Sequence, residues 1–197
     1  MEEEAFVAGE NHQGDRRRIA IITGSRSEYG LLRPVARALS RYDRIEYGFV
    51  VTGCHLVKEF GNTVSIIRED GEKIWGEIPM YDSLGKEFGT LPASLARGIS
   101  GLDKVFEEKR PDIVLVLGDR LEAFAGSVAA FYRRVVLAHV HGGEKTDGHV
   151  DDSTRHAISR FAHLHFPATE RSAQRLREMG EEAWRIYLCG APGLDEI

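Results

Sequence analysis

The stretch Arg18-Ile19-Ala20-Ile21-Ile22-Thr23-Gly24-Ser25-Arg26-Ser27-Glu28-Tyr29-Gly30-Leu31-Leu32 decides the fold. Its first six residues hold a short, unbroken apolar run, the pattern of a strand buried on both faces. After the Gly24 turn, Leu31, Leu32, Val35, Ala38 and Leu39 recur at helical spacing, which predicts a helix over 29–42. Working outward, the same alternation repeats. Strands are expected at 45–52, 73–78, 113–117, 135–140, 164–168 and 185–189, and helices at 63–69, 91–108, 121–132, 152–161 and 171–179. Strands that are apolar throughout need cover on both faces, and the intervening helices supply it, so the fold class is a Rossmann-like, doubly wound parallel α/β sheet. No internal repeat is present.

The chain has 197 residues, enough for about one domain with a substantial core. Residues 1–15 carry Glu2, Glu3, Glu4 and Glu10 with little apolar periodicity and read as a disordered lead to a domain spanning 16–197. Lys and Arg total 26 against 31 Asp and Glu, a net charge of -5, which supplies no basic field for nucleic acid. No apolar run approaches the ~20 residues of a membrane span, and the acidic start lacks the order of a signal peptide. Only Cys54 and Cys189 are present, without C-x-x-C spacing, so neither a disulfide framework nor a thiolate zinc site is indicated, and a reducing cytoplasm is the expected location.

In parallel sheets of this class ligands bind beyond the carboxyl ends of the strands. The residues there are Gly24 to Gly30, Gly53-Cys54-His55, Gly118-Asp119-Arg120, His139-Val140-His141-Gly142-Gly143-Glu144 and Asp151-Asp152. The Gly24–Gly30 turn offers backbone N–H groups and the Arg26 guanidinium to a phosphate, though it matches neither the G-x-G-x-x-G nor the P-loop spacing; a plain turn capped by Ser27 is the simpler alternative. Asp119 is the foremost acid/base candidate, against an internal ion pair at a helix start. His139 and His141, two apart, share a face if the strand continues, and Gly142-Gly143 lets the chain turn Glu144 toward them. A metal would find ligands there, but no metal-site spacing is present and none is assigned. Asp151 and Asp152 open a helix, where capping explains one carboxylate but not both; a shared cleft would push their pKa values apart. His163 and His165 read as structural or partner-facing. The irregular stretch 81–89 reads as a surface loop near the site.

Taken in order, Gly24-Ser25-Arg26-Ser27-Glu28-Tyr29-Gly30-Leu31-Leu32, Val51-Thr52-Gly53-Cys54-His55-Leu56 with Phe60-Gly61-Asn62-Thr63, Gly118-Asp119-Arg120, His139 to Glu144 and Asp151-Asp152-Ser153-Thr154-Arg155-His156-Ala157-Ile158 resemble the hydrolysing UDP-N-acetylglucosamine 2-epimerases, nearest the sialic- and legionaminic-acid branch. The resemblance runs from Arg18 to the end. It implies one half of a two-domain, GT-B-like fold with a UDP-sugar in the cleft between halves, the second half and part of the nucleotide site lying beyond Cys189-Gly190-Ala191-Pro192. It also implies a homodimer and no cofactor. The family reaction breaks the C1–phosphate bond as a base removes the C2 proton, giving a glycal to which water adds, with release of UDP and N-acetylmannosamine. Carried over by motif, Asp119, Asp151 and Asp152 are acid/base residues, joined by His141 or Glu144, because many members have a glutamate where His141 stands. Arg26, Gly30, His55, Arg120, Arg155 and His156 carry over as substrate contacts. A binding or interaction module without turnover is the alternative.

Overall fold

The computed structural model describes residues 16–81, 90–146 and 149–196, so the expected lead 1–15 and most of the loop 81–89 lie outside the described residues. The elements run β1 (Arg17–Thr23), α1 (Arg26–Leu39), β2 (Ile45–Thr52), α2 (Val64–Glu69), β3 (Ile74–Ile78), α3 (Leu91–Lys109), β4 (Ile113–Leu117), α4 (Leu121–Tyr132), β5 (Val136–Val140), α5 (His149–Phe161), β6 (Leu164–Phe166) and α6 (Glu170–Glu178). Six strands form a parallel sheet in the order β3-β2-β1-β4-β5-β6. At the centre Ile21 lies opposite Phe49 on one side and Leu115 on the other.

Alternate residues of each strand go to opposite cores, the consequence of the two-residue period of a strand. Ala20, Val50, Val114 and Val116 pack with Leu102 and Phe106 of α3, Ala125 of α4 and Ile158 of α5. Ile21, Phe49 and Val51 pack with Tyr29 and Leu32 of α1 and Ile67 of α2. Tyr29 meets Phe49 edge to face with ring centroids 5.2 Å apart. Leu32 and Phe49 are fully buried, each worth about 1.5–3 kcal/mol in apolar transfer.

On the second face Ile19, Leu115, Val140, Leu164 and Phe166 of the sheet line a groove together with Val35, Leu39 and Pro192. One expectation needs correction. The segment 185–189 is not a strand: among the described residues it makes one isolated bridge, His165 to Ile186, followed by the Tyr187 N–H donating to the His165 carbonyl at 2.8 Å. Tyr187 stacks on Phe166 with ring centroids 5.8 Å apart, but it and Leu188 stay exposed, so strand propensity finds little packing to reward it. No helix of the described residues is long and apolar enough to cross a membrane.

Beyond the carboxyl ends, β1 and β4 are neighbours whose following helices lie on opposite faces of the sheet. The crevice of a doubly wound sheet opens at such a point.

Candidate active site

The turn after β1 is built by a reciprocal cap. Ser25 adopts extended backbone and its Oγ accepts the Glu28 N–H at 3.4 Å, while Glu28 Oε2 accepts the Gly24 N–H at 2.8 Å. This is an S-x-x-E capping box with its return bond moved one residue back, to Gly24, and it starts α1 at Arg26, three residues before the apolar period begins. The cap is thus Ser25, with Ser27 only 3.0 Å from its hydroxyl. Arg26 is exposed and has no side-chain partner among the described residues. It lines a shallow groove with Gly30, Cys54, Phe60, Thr63 and Arg120.

Beneath the groove lies a charge cluster that sequence reasoning missed. Arg120 Nε is 3.4 Å from Glu122 Oε2 and 3.8 Å from Glu28 Oε2, and its Nη2 donates to Glu122 Oε1 at 3.4 Å. Tyr81 donates to the same Glu122 oxygen at 3.1 Å, and Cys54 Sγ is 3.7 Å from Arg120. Glu122 is 1% exposed and fills the space under two turns: a Cβ at Gly53, whose φ is +58°, would stand 2.1 Å from its Oε1. Burial first, and the Glu122 charge second, push Glu28 up to about 7. Two signals pointed to these carboxylates, the S-x-x-E spacing and a lone acid in the otherwise apolar helix α4.

His55, expected as a substrate contact, is fully buried with both ring nitrogens occupied, Nε2 by Thr23 Oγ1 at 3.0 Å and Nδ1 by Thr63 Oγ1 at 2.8 Å. Burial holds it neutral, with its pKa down to about 4. Its place is to brace Thr63 at the groove wall, and the correction follows from burial that the sequence did not reveal.

A second cluster gathers at β4, β5 and α5. Arg155, 6% exposed at its side chain, is ion-paired with Asp119 and lies 3.1 Å from Glu144. Glu144 Oε1 is 3.3 Å from His141 Nδ1, and His141 Nε2 is buried without a hydrogen-bond partner among the described residues. Burial works against the Glu144 carboxylate, but the His141 hydrogen bond and the charges of His141 and Arg155 outweigh it and hold its pKa below the usual range. Strand β5 ends at Val140, and His141 takes a φ of +62°, so His139 and His141 do not share a face. His139 is fully buried: its Nε2–H donates to the Gly118 carbonyl at 2.8 Å, and Nδ1 is 3.1 Å from the Ser159 hydroxyl. Burial drives its pKa down to about 3. Among the described residues no group of three or more His, Cys, Asp or Glu is placed to hold a metal ion.

Asp152 accepts the Thr146 N–H at 2.7 Å and the Thr146 hydroxyl at 3.0 Å, bonds that lower its pKa and tie the loop to α5. Asp151 beside it is exposed, and His156 is half-buried one turn on. His163 accepts the Leu137 N–H at 3.1 Å and His165 is buried against Glu181 at 3.2 Å, both in structural positions. The structure thus brings Asp119, His141, Glu144 and Arg155 into one network, joined through consecutive residues Asp119 and Arg120 to the groove that Arg26 lines.

The family model for UDP-N-acetylglucosamine 2-epimerase matches residues 37–197. The chain belongs to that family. Among relatives of this epimerase-family chain, the UDP-N,N'-diacetylbacillosamine 2-epimerase (hydrolyzing) of Legionella pneumophila is 44% identical over 92% of the chain and 48% of that protein. The UDP-N-acetylglucosamine 2-epimerase of Neisseria meningitidis serogroup B is 35% identical over 91% of the chain and 46% of its own length. A crystal structure of the Neisseria meningitidis enzyme bound to UDP-GlcNAc shares the fold, with a TM-score of 0.79 at 24% identity over 90% of the chain and 47% of that structure. The chain spans about half the length of the curated relatives it matches.

Proposed function

We propose that this chain supplies the acid/base half of a hydrolysing 2-epimerase acting on UDP-N-acetylglucosamine or a diacetamido relative. In this reading a base removes the C2 proton as the C1–oxygen bond breaks; UDP leaves, and water adds to the glycal to give the free 2-epimeric sugar. The observation that carries it is the His141–Glu144 pair: Nδ1 of His141 is held by a carboxylate 3.3 Å away, while the buried Nε2 has no partner among the described residues. An imidazole oriented at one nitrogen and unoccupied at the other is the arrangement of a general base. Glu144 then orients the base, Asp119 and Asp151 are the carboxylic acid/base partners, and Asp152 anchors their loop. Arg26 and Arg120 receive the departing diphosphate, whose growing charge calls for cationic donors.

Completed with a C-terminal half like that of its relatives, the protein is expected to release UDP from UDP-GlcNAc or a diacetamido analogue and to incorporate solvent deuterium at C2. His141→Ala should abolish both while leaving UDP binding intact. Tight binding without UDP release by the completed protein would overturn the reading. A second reading, a nucleotide-sugar-binding module without turnover, is supported for the 197-residue chain by the groove that Arg26 and Arg120 line. Saturable UDP-sugar binding without UDP release by that chain is the test. A cytoplasmic homodimer belongs to the first reading; the two free cysteines and the exposed Phe131 and Tyr132 at the end of α4 support it, and sedimentation measures it.

A further inference from the structure

Glu28 and Glu122 are both buried, and both face one guanidinium, that of Arg120. With every group ionised the cluster carries one surplus negative charge beneath a groove whose expected ligand is an anion. Such a charge is costly in a buried place, and a proton on one carboxylate removes it. Glu28 can take the proton without losing its structural bonds: Oε2 accepts the Gly24 N–H at 2.8 Å and the Ser25 hydroxyl at 3.4 Å, leaving Oε1 for the hydrogen. Glu122 also has one oxygen without a hydrogen-bond partner among the described residues, Oε2, but Arg120 lies 3.4 Å from each of its oxygens against 3.8 Å from Glu28, so a proton on Glu28 gives up the weaker pairing.

We propose that Glu28 is a proton-carrying positioning residue: protonated, it leaves Arg120 paired with Glu122 alone and its remaining donors open to a diphosphate; ionised, it draws Arg120 back toward the base of the groove. The coupling to ligand rests on the UDP-sugar reading above. It makes binding of the anion favour proton uptake, and rising pH weaken binding, by the reciprocity of linked equilibria.

The other titratable groups around the cluster do not change charge in the neutral range. His55, behind the turn after β2, is held neutral by burial, with a pKa near 4. Burial raises the Cys54 thiol and the Tyr81 phenol above their usual values. Arg120 stays cationic throughout.

The test follows the Glu28 carboxyl carbon and the Arg120 Nε–H by NMR in the ligand-free 197-residue chain. Calorimetry with UDP-GlcNAc, whose doubly esterified diphosphate does not titrate in this range, runs alongside. Both signals should shift together with a midpoint near neutrality, and affinity should fall about five- to tenfold over about two pH units across it. Glu28→Gln, which keeps an acceptor for Gly24, should abolish the midpoint and flatten the affinity profile at its low-pH value. Glu122→Gln should move both midpoints to lower pH. A Glu28 carboxyl ionised throughout, or one that titrates while Arg120 does not respond, would overturn the proposal. Co-titration of both signals with no UDP-GlcNAc binding at any pH would support the proton-coupled arginine and count against the functional reading instead.

Discussion

Asp119 is ion-paired with Arg155, which reaches it from α5, and not with Arg120 beside it in the chain. The crossing separates two tasks that a bare Asp-Arg dipeptide would merge. One guanidinium binds the Asp119 and Glu144 carboxylates, and the other projects from a separate acidic cluster toward the groove. Arg155 has little exposure, so removing it leaves Asp119 and Glu144 facing each other without a cation. Arg155→Ala should therefore cost about 2–4 kcal/mol of stability, visible as a lower urea midpoint at unchanged slope. Arg155→Lys should recover only part, because an ammonium cannot fork between two carboxylates. Full stability in Arg155→Ala would mean that the network is not cohesive.

Arg26 is the opposite case. It is exposed and unpaired among the described residues, so nothing in the fold depends on its charge. Arg26→Ala should change unfolding stability by no more than about 0.5 kcal/mol while weakening UDP-sugar binding about tenfold, equivalent to about 1.4 kcal/mol. Calorimetry on the variant checks both; unchanged affinity would remove Arg26 from the diphosphate contacts.

Periodicity located the sheet because its strands are apolar throughout and its helices are not: the expected bounds of Ile45–Thr52, Ile113–Leu117 and Leu121–Tyr132 agree residue for residue with the structure. What periodicity missed lies at helix starts. Helix α1 begins at Arg26 because of the Ser25–Glu28 cap, and α5 begins at His149, before the Asp151-Asp152 pair that seemed to open it. Within the site, the convergence of Asp119, Glu144 and His141 followed from strand ends and a glycine turn. The partner of each charge did not, since ion pairing is decided by which helix packs over which strand end. His55 shows the limit most plainly, because a histidine after a strand looks alike in sequence whether it faces a groove or two buried hydroxyls.

Acid and base limits on stability should come from different residues. Glu28 has a folded pKa near 7, above the ordinary value of 4.5, so the native state holds more protons and this residue's contribution is lost as pH rises from about 4.5 to 7. His55 and His139 have folded values near 4 and 3, below 6.5, so the unfolded state holds more protons and their contribution is lost as pH falls below about 6.5. The two windows overlap from about pH 4.5 to 6.5, where two histidines outweigh one glutamate, so stability should peak near pH 6.5. Glu28→Gln should remove the alkaline loss, a gain on the order of 3 kcal/mol at pH 8 relative to the wild type when both are referenced to acid. Melting temperatures across pH in both proteins give the comparison, and parallel curves would contradict it.

Gly143 tests whether the base is placed by the backbone. Its φ is +74°, and a Cβ there would stand 2.3 Å from the Ser172 carbonyl oxygen and 2.9 Å from Leu176 Cγ. Arg175 already donates to the Gly143 carbonyl at 2.6 Å, so α6 has no freedom to retreat without breaking that bond. Gly143→Ala should therefore lose about 2–4 kcal/mol from left-handed strain and the clash with backbone. Because the same turn sets His141 at φ +62° and brings Glu144 within 3.3 Å of it, turnover by the completed enzyme should fall more than its affinity for UDP-GlcNAc. Gly30→Ala is the control: it lies inside α1 with open space around the added methyl, and should be neutral or stabilise by about 0.5–1 kcal/mol. Equal losses of stability in the two variants, or a Gly143→Ala enzyme with normal turnover, would show that the glycine turn does not position the His141–Glu144 pair.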